Sequence, residues 1–557
     1  MLYRRIILAL PLILLASPAD ALEGCFCAKD NAENRKCGQI ERFDPSDGVT
    51  LREFIGEKPS GAKILGAPIT LLFLNFTECP QRFRPIEVQK PQTPLAPAQP
   101  PSPPPATPSP TPIDRDESFG IAGSNTIGEV LMPTLIKGYA SRNDFKLDGE
   151  NCNGSFLLQK KQLGSRTVTI RCEAKGSATG IPALLRKEAD IAMLSRRMTD
   201  DEQADMAAAG FPRMTYIPHE TVLALDGIRI IVSPQNKVAA LSALQIARIF
   251  SGEITDWARV GGEPGPIHVY VRDSRSGTRE TFEHLVMEPN GRQIMAQPQQ
   301  MFESSGELSS SVQHDPQGIG FVGFAYTGGS KSLGIREPCG IRHEPSSFTV
   351  KTEDYPLSRR LFLYRSQLTS LHSQELVSYA ISEEAQPLIE KAGYVNQLID
   401  AWDVATTQDR IADYVAEPTQ EPGLDIDRRA LSGLAEDVKG ASRLSISFHF
   451  RFGSFDLDTK ALDDVLRLGR YLQRRSSERL TVQLLGFADA VGSFEANRRL
   501  AEKRAMAVRD ALRRTGANID PAMIVTKGYS ELLPVACNSA DLGREKNRRV
   551  EVYVLRR

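Results

Sequence analysis

Gly486-Phe487-Ala488-Asp489-Ala490-Val491-Gly492-Ser493 lies between two segments of different period, and its reading decides how the end of the chain folds. Before it, Leu480 to Leu485 is a short apolar run that reads as a strand; after it, Arg498 to Arg513 reads as a helix. An acid in a glycine-bounded turn, followed by a helix carrying Arg504, brings opposite charges toward one end of that strand. The alternation continues outward. Ser445 to Phe452 alternates as a strand, and Leu457 to Leu472 has helical periodicity, with Leu462, Val465, Leu466 and Leu468 assigned to a common side. Ile524 to Gly528 is a third strand, and Val550 to Leu555 closes the segment. Residues 441–557 therefore read as βαβαβ with a further C-terminal strand, a compact two-layer sandwich.

Phe452-Gly453-Ser454, the octapeptide, Asn497, Leu500, Arg504-Ala505, Gly528-Tyr529 and Asn547-Arg548-Arg549-Val550-Glu551 follow one another at spacings that resemble the OmpA-like peptidoglycan-binding domain throughout. Gram-negative stem peptides carry diaminopimelate, whose free end presents an ammonium beside a carboxylate. A pocket for that zwitterion needs an acid and a base, and an arginine fork meets a carboxylate bidentately. The resemblance implies Asp489 for the ammonium and Arg504 for the carboxylate, with Asn497 and Arg549 in support. Any one of these charges alone reads as a solvated surface charge; the set carries the functional reading. The chain departs from the family at Phe487 and Ala488, where His or Tyr and then Thr are usual. The missing hydroxyl costs on the order of 1 kcal/mol of ligand hydrogen bonding.

Upstream, residues 114–402 alternate strand and helix patterns. Thr167 to Arg171 and Ile228 to Ser233 read as strands, and Ile181 to Lys187 and Ala243 to Phe250 as helices, which argues an α/β fold. Three polar turns precede helical patterns: Ser124-Asn125-Thr126 before Val130 to Ala140, Ser177 to Gly180 before Ile181, and Ser276-Gly277-Thr278 before Arg279. Free N–H groups at helix starts and glycines that permit close backbone approach suit an anion. Helix capping is the bland alternative for each turn taken singly. With Ala189-Asp190-Ile191-Ala192-Met193-Leu194-Ser195-Arg196, Leu225-Asp226-Gly227-Ile228, Ile249-Phe250-Ser251-Gly252-Glu253-Ile254-Thr255-Asp256-Trp257, Arg272-Asp273-Ser274-Arg275-Ser276-Gly277-Thr278 and Gly318-Ile319-Gly320-Phe321-Val322-Gly323, this segment resembles a periplasmic substrate-binding protein of the phosphate ABC-transporter type. The resemblance implies a two-lobed fold and an oxyanion cleft built from Ser124, Asn125, Thr126, Ser177, Thr179, Ser195, Arg196, Arg272, Ser276, Gly277 and Thr278. High-affinity relatives place an Asp where this chain has Ser195-Arg196, so the acceptor for a protonated phosphate is missing and phosphate is the first of several candidate anions.

The remaining segments set the compartment. Arg4 and Arg5, the apolar run Ile6 to Ala16 and Ala19-Asp20-Ala21 form an export signal over residues 1–21. Leu22-Glu23-Gly24-Cys25 offers a weaker lipoprotein variant. Residues 22–88 form a small unit with Cys25, Cys27, Cys37 and Cys79, and Ile69 to Phe76 reads as a strand in it. Cys152 and Cys172 flank a predicted hairpin, while Cys339 and Cys537 have no obvious partners. Disulfides suit an exported chain better than metal, because the cysteine spacings match no zinc pattern. Residues 89–113 are a linker, half proline from Pro91 to Pro112, and 403–440 a second linker with some helix. A net charge of −1 argues against nucleic acid.

The fold class is thus multidomain α/β and α+β: a two-lobed binding-protein fold followed by the βαβαβ sandwich. No catalytic constellation, metal site or cofactor motif emerges. The expected protein is periplasmic, fixed to the wall and compatible with outer-membrane association. Its expected partners are peptidoglycan, an anion such as phosphate, and an ABC permease if it serves uptake. A structural tether that reuses the binding-protein fold as a sensor or partner-binding module is the alternative.

Overall fold

The computed structural model describes residues 117–556 except 161–166, 275, 296, 366–369, 417–426 and 517–519, together with the backbone of five strands between Cys25 and Leu74. The export signal, the proline-rich segment, Cys79 and Arg275 lie outside the described residues. The chain divides into two compact units, Met1–Ser109 and Pro110–Arg557. In the first, an antiparallel sheet runs in the order Lys58–Ile64, Gly48–Ile55, Arg35–Asp44, Cys25–Lys29, Thr70–Leu74, with Cys27 opposite Cys37 in register.

The second unit opens with an eleven-stranded sheet that passes through two lobes. Its continuity comes from one strand of thirteen residues, Glu220–Val232. Glu220 to Gly227 pairs antiparallel with Ser358–Arg365, and Ile228 to Val232 pairs antiparallel with Gly318–Gly323. Its apolar stretches, Val222 to Leu225 and Ile230 to Val232, suit a strand covered on both faces, and all but one of the thirteen residues are buried. One core gathers around Phe119, Phe156, Ile170 and Leu361, the other around Ile246, Phe250, Phe282 and Phe321. In the first lobe Glu117–Gly123 lies parallel between Thr167–Ala174 and Ile191–Leu194. In the second, His268–Arg272 runs parallel to Gln300–Phe302 and Gly318–Gly323. Parallel strands align their carboxyl ends, and this brings the polar turns together. Cys152 is disulfide-bonded to Cys172, beside the Gly154–Lys160 strand.

The C-terminal sheet has the order Ser442–His449, Arg549–Arg556, Leu480–Gly486, Ile524–Gly528. Helices Thr459–Arg474 and Phe494–Arg514 cover one face through Val465, Leu468, Val508 and Leu512. Leu466 does not share that side; it is exposed, because one residue of helix rotates it about 100° from Val465. The segment read as a second linker supplies two helices, Val404–Ala416 and Arg428–Asp437. Ile411, Tyr414, Leu434 and Val438 pack them against Leu485 and Tyr553, so the sandwich has three layers, not two. The outer layer is required by what the sheet carries there: Glu551 is fully buried and needs the fork of Arg410 at 2.8 Å on both oxygens.

Asp463 in the Thr459–Arg474 helix is half-buried, and burial pushes its carboxyl up to about 6 against the pull of Arg467, with Asp464 adding to the rise. The folded state thus holds this proton more tightly than the unfolded chain, so stability falls as pH rises from 3.8 to about 6 and stays lower above. Asp463→Asn is expected to stabilise at pH 7.5 by roughly 1 kcal/mol after allowance for solvent screening, and to change nothing below pH ~4. Thermal melts at the two pH values check this.

The binding-protein lobes and the C-terminal sandwich form one body. Cys339 is disulfide-bonded to Cys537, giving both cysteines the partner their sequence context does not reveal. Glu337 accepts from the Cys537 N–H at 2.6 Å, and the buried Arg443 pairs with Asp354 at 2.8 Å. Arg360 donates at 2.5 Å to Asp458 and also holds Glu353. The rings of Phe348 and Trp402 stack at 4.1 Å.

Candidate functional site

The strand Glu117–Gly123 ends in a left-handed Gly123, φ 134°, and the chain turns at once into helical backbone at Asn125 and Thr126. A Cβ at Gly123 would fall 2.1 Å from the Met193 carbonyl oxygen, so only glycine lets the two strand ends approach this closely. The Ser124 N–H donates to the Met193 carbonyl at 2.8 Å, and Lys175 and Gly176 donate to the Gly123 carbonyl. Three strand ends therefore meet at Ser124, Ser177 and Ser195. The Ser177 and Ser195 hydroxyls lie 2.8 Å apart, and the Ser195 N–H donates to Ser177 Oγ at 3.1 Å. The Ser124 hydroxyl is fully buried and has no hydrogen-bond partner. A buried hydroxyl left unpaired costs about 1–3 kcal/mol, so its place at the mouth of three strand ends points to a ligand.

The second lobe meets this cluster through Ser276-Gly277-Thr278. A Cβ on Gly277 would lie 2.4 Å from Thr126 Oγ1 and 2.7 Å from Thr126 Cα; the two turns touch across the cleft. Arg359, at the start of the Ser358–Arg365 strand, joins them. Its Nη2 donates to Thr126 Oγ1 at 2.9 Å and to the Gly277 carbonyl at 3.4 Å, while its Nε donates to Asp226 at 3.2 Å. Asp226 and Arg359 are register partners on the two strands that join the lobes. Burial pushes the Asp226 carboxyl up against the pull of Arg359. Neither residue was assigned to the site from sequence. Asp226 stands in a quoted motif without a role, and Arg359 is 233 residues from Thr126, beyond any local signal.

Other expected residues are engaged elsewhere. Ser276 caps its helix, accepting from the Arg279 N–H at 3.3 Å, so the capping alternative describes its hydroxyl in this state. Thr179 donates to the Gly176 carbonyl, a local turn bond. Arg196 makes a bidentate pair with Glu202 at 2.7 and 2.8 Å. Arg272 is buried and donates to Ser305 Oγ and the Glu303 carbonyl within its own lobe, leaving its Nε without a partner. Asn125 is half-buried next to Thr126, and Thr278 Oγ1 faces Gly323.

In the C-terminal sandwich Asp489 follows the Leu480–Gly486 strand, where parallel pairing with Ile524–Gly528 again aligns carboxyl ends. Its Oδ2 pairs with Arg548 at 2.8 Å, its Oδ1 accepts from the Val491 N–H, and Asn497 donates to its carbonyl at 3.0 Å. Arg504 is fully buried beside them, over the Phe450 ring. Its Nε and Nη2 donate to the Ser454 and Arg451 carbonyls, and its Nη1 has no partner. Burial, and then the charge of Arg548, pull Arg504 down to about 10, with Asp489 opposing. A guanidinium so placed stays charged at neutral pH and lacks a full counter-charge, which a carboxylate ligand would supply.

Arg549 is not part of this group. It pairs with Glu551 at 2.6 Å, donates to the Leu533 carbonyl and lies over the Phe487 ring, all on the opposite face of the sheet. Burial alone would raise Glu551, yet Arg410, Arg443 and Arg549 hold it well below the carboxylate range. Its neighbour Arg548 takes the place beside Asp489. Strand alternation puts 549, 551 and 553 on one face and 548 on the other, so the pleat is the signal that would have separated them.

Residues 116–384 match the PBP superfamily domain, and residues 449–548 match the OmpA family. The chain joins a PBP superfamily domain to an OmpA domain. The first is similar to the phosphate-binding protein PstS of Borreliella burgdorferi, at 24% identity over 51% of this chain and 91% of that protein. PstS of Staphylococcus epidermidis is similar at 28%, over 48% of this chain and 86% of that protein. Among solved structures, an ABC-type phosphate transport receptor from Vibrio cholerae is 26% identical over 50% of this chain and 99% of its own, with a TM-score of 0.38. The peptidoglycan-associated lipoprotein from Burkholderia pseudomallei is 26% identical over 19% of this chain and 88% of its own, with a TM-score of 0.18.

Proposed function

We propose that this protein is a non-catalytic component of the cell envelope, exported to the periplasm. In this reading its PBP domain binds an oxyanion, phosphate first, and its OmpA domain holds it to peptidoglycan through diaminopimelate. The observation that carries the anion half is the unspent, fully buried Ser124 hydroxyl beside the Ser177–Ser195 pair, at the carboxyl ends of three neighbouring strands. The PstS relatives are phosphate-binding proteins, which agrees with phosphate as the first choice. The wall half rests on Asp489 and Arg504, an acid and an under-compensated base in one buried group.

Calorimetric titration with phosphate, and with sulfate as comparison, tests the cleft. Saturation at 100 times the dissociation constant should stabilise the protein by roughly 2.7 kcal/mol. Ser124→Ala removes a hydroxyl that bonds nothing in the free protein, so its unliganded melting temperature should hold or rise. Its affinity for the anion should nevertheless fall about 10–100-fold, the range for a hydrogen bond to a charged group. Absence of heat with either anion overturns the reading and leaves the structural tether, with a partner-binding PBP domain, in its place. The bidentate engagement of Arg196 by Glu202 is the observation that favours that second reading.

A further inference from the structure

The mouth of the anion cleft does not open to bulk solvent alone. A cavity of about 920 Å³ adjoins it, lined by Ser195 and Arg196 of the first lobe, Arg359 of the joining strand, Leu244 of the second lobe, and Arg451 and Leu542 of the OmpA domain. The OmpA domain thus roofs a vestibule whose floor carries residues of the anion site. That volume lies within the roughly 300–1,000 Å³ range of pockets that hold drug-sized organic ligands, far more than a bare oxyanion fills. Leu244 and Leu542, one from each domain, line it and leave large apolar surfaces uncovered. Free apolar surface inside a concave site suits an organic group and does nothing for an inorganic ion.

The polar chemistry points the same way. Inorganic phosphate at neutral pH always carries at least one P–OH, which needs an acceptor. A phosphomonoester, whose second pKa is about 6, is a dianion without an acidic proton and needs donors only. Three of the carboxylates near these turns are engaged: Asp226 by Arg359, Glu202 by Arg196, and Asp190 by the Gly120 N–H. The turns themselves present hydroxyls and backbone N–H groups, beside an Arg359 guanidinium whose Nε and Nη2 are bonded to Asp226, Thr126 and the Gly277 carbonyl.

We propose that the cleft takes a phosphomonoester, with the phosphoryl group among Ser124, Ser177 and Arg359 and the organic remainder in the vestibule under the OmpA domain. This rests on the anion-binding reading above and narrows its ligand class. The test titrates the full-length chain with inorganic phosphate and with phenyl phosphate. Phenyl phosphate should bind at least about tenfold more tightly, the least that burying its ring in an apolar pocket contributes. Leu244→Trp and Leu542→Trp each fill the vestibule from an exposed position, and each should weaken phenyl phosphate by roughly tenfold or more while leaving phosphate unchanged. Phosphate binding as tightly as phenyl phosphate, or phenyl phosphate affinity unaltered in both tryptophan variants, overturns the proposal and leaves the anion-binding reading standing. Absence of binding by either compound overturns both.

Discussion

Replacing both Cys339 and Cys537 by serine is expected to cost the second unit up to about 5 kcal/mol and to give two melting transitions where the disulfide-bonded protein should give one. The disulfide closes a loop of 198 residues, far longer than the 20 closed by Cys152–Cys172. In the chain-entropy account, restriction of the unfolded chain grows with the logarithm of loop length, from ~3 kcal/mol for a 15-residue loop to nearly 5 for a long one. The bond also joins a surface turn of the PBP domain to the OmpA domain. Without it the two remain associated through Arg443–Asp354, Arg360–Asp458 and His449–Glu353. Those contacts persist only while both domains are folded, whereas the disulfide also acts on the unfolded chain. Scanning calorimetry of the double variant decides the matter. A folded variant with one transition at the wild-type temperature shows that the noncovalent interface alone makes the unit cooperative.

Arg504→Ala and Asp489→Ala are expected to release the protein from purified sacculi, with affinity falling by at least ~30-fold, because each removes one member of a buried charge set. The two differ in what they do to the free protein. Asp489→Ala strands Arg548 in a buried site and should destabilise by about 3–5 kcal/mol. Arg504→Ala relieves an under-compensated cation and loses two bonds to carbonyls, so its melting temperature should move less. Arg504→Lys keeps the charge without the fork and should recover stability but not retention. Retention of both alanine variants in the sacculus pellet, with fold verified by circular dichroism, would remove diaminopimelate recognition from the function of this pocket. Arg549→Ala should act on stability alone, since Arg549 answers Glu551.

Local pattern made much of the architecture legible. The helix expected at Ala243 to Phe250 and the strand at Ile524 to Gly528 appear with those bounds. Both are short segments with a single clear period and a cap or glycine at the end, so the chain within them answers to its own spacing. Leu466 was misplaced because its neighbours are apolar, although 3.6-residue geometry turns it away from Val465 and Leu468. Residues 403–440 read as a linker with some helix because polar residues dominate and Pro418 and Pro422 interrupt them. Their apolar positions, Ile411, Tyr414, Leu434 and Val438, find a use only once the sheet beneath is assembled.

The amino-acid pattern alone carried the α/β alternation of residues 114–402, the βαβαβ order of the domain after it, and which polar turns stand at strand ends. Those properties follow from hydrophobic period and turn chemistry, which act over a few residues. Tertiary structure alone decided that Arg359 reaches Thr126 across 233 residues, that Arg548 and not Arg549 stands beside Asp489, and that Cys339 finds Cys537. It also decided that Arg451 and Leu542 of the OmpA domain line one cavity with Ser195, Arg196 and Arg359. Each of these depends on which strand ends are brought to one edge and which face of a pleat is covered. That is settled when buried charges and apolar faces are matched across the whole fold, and no local spacing encodes it.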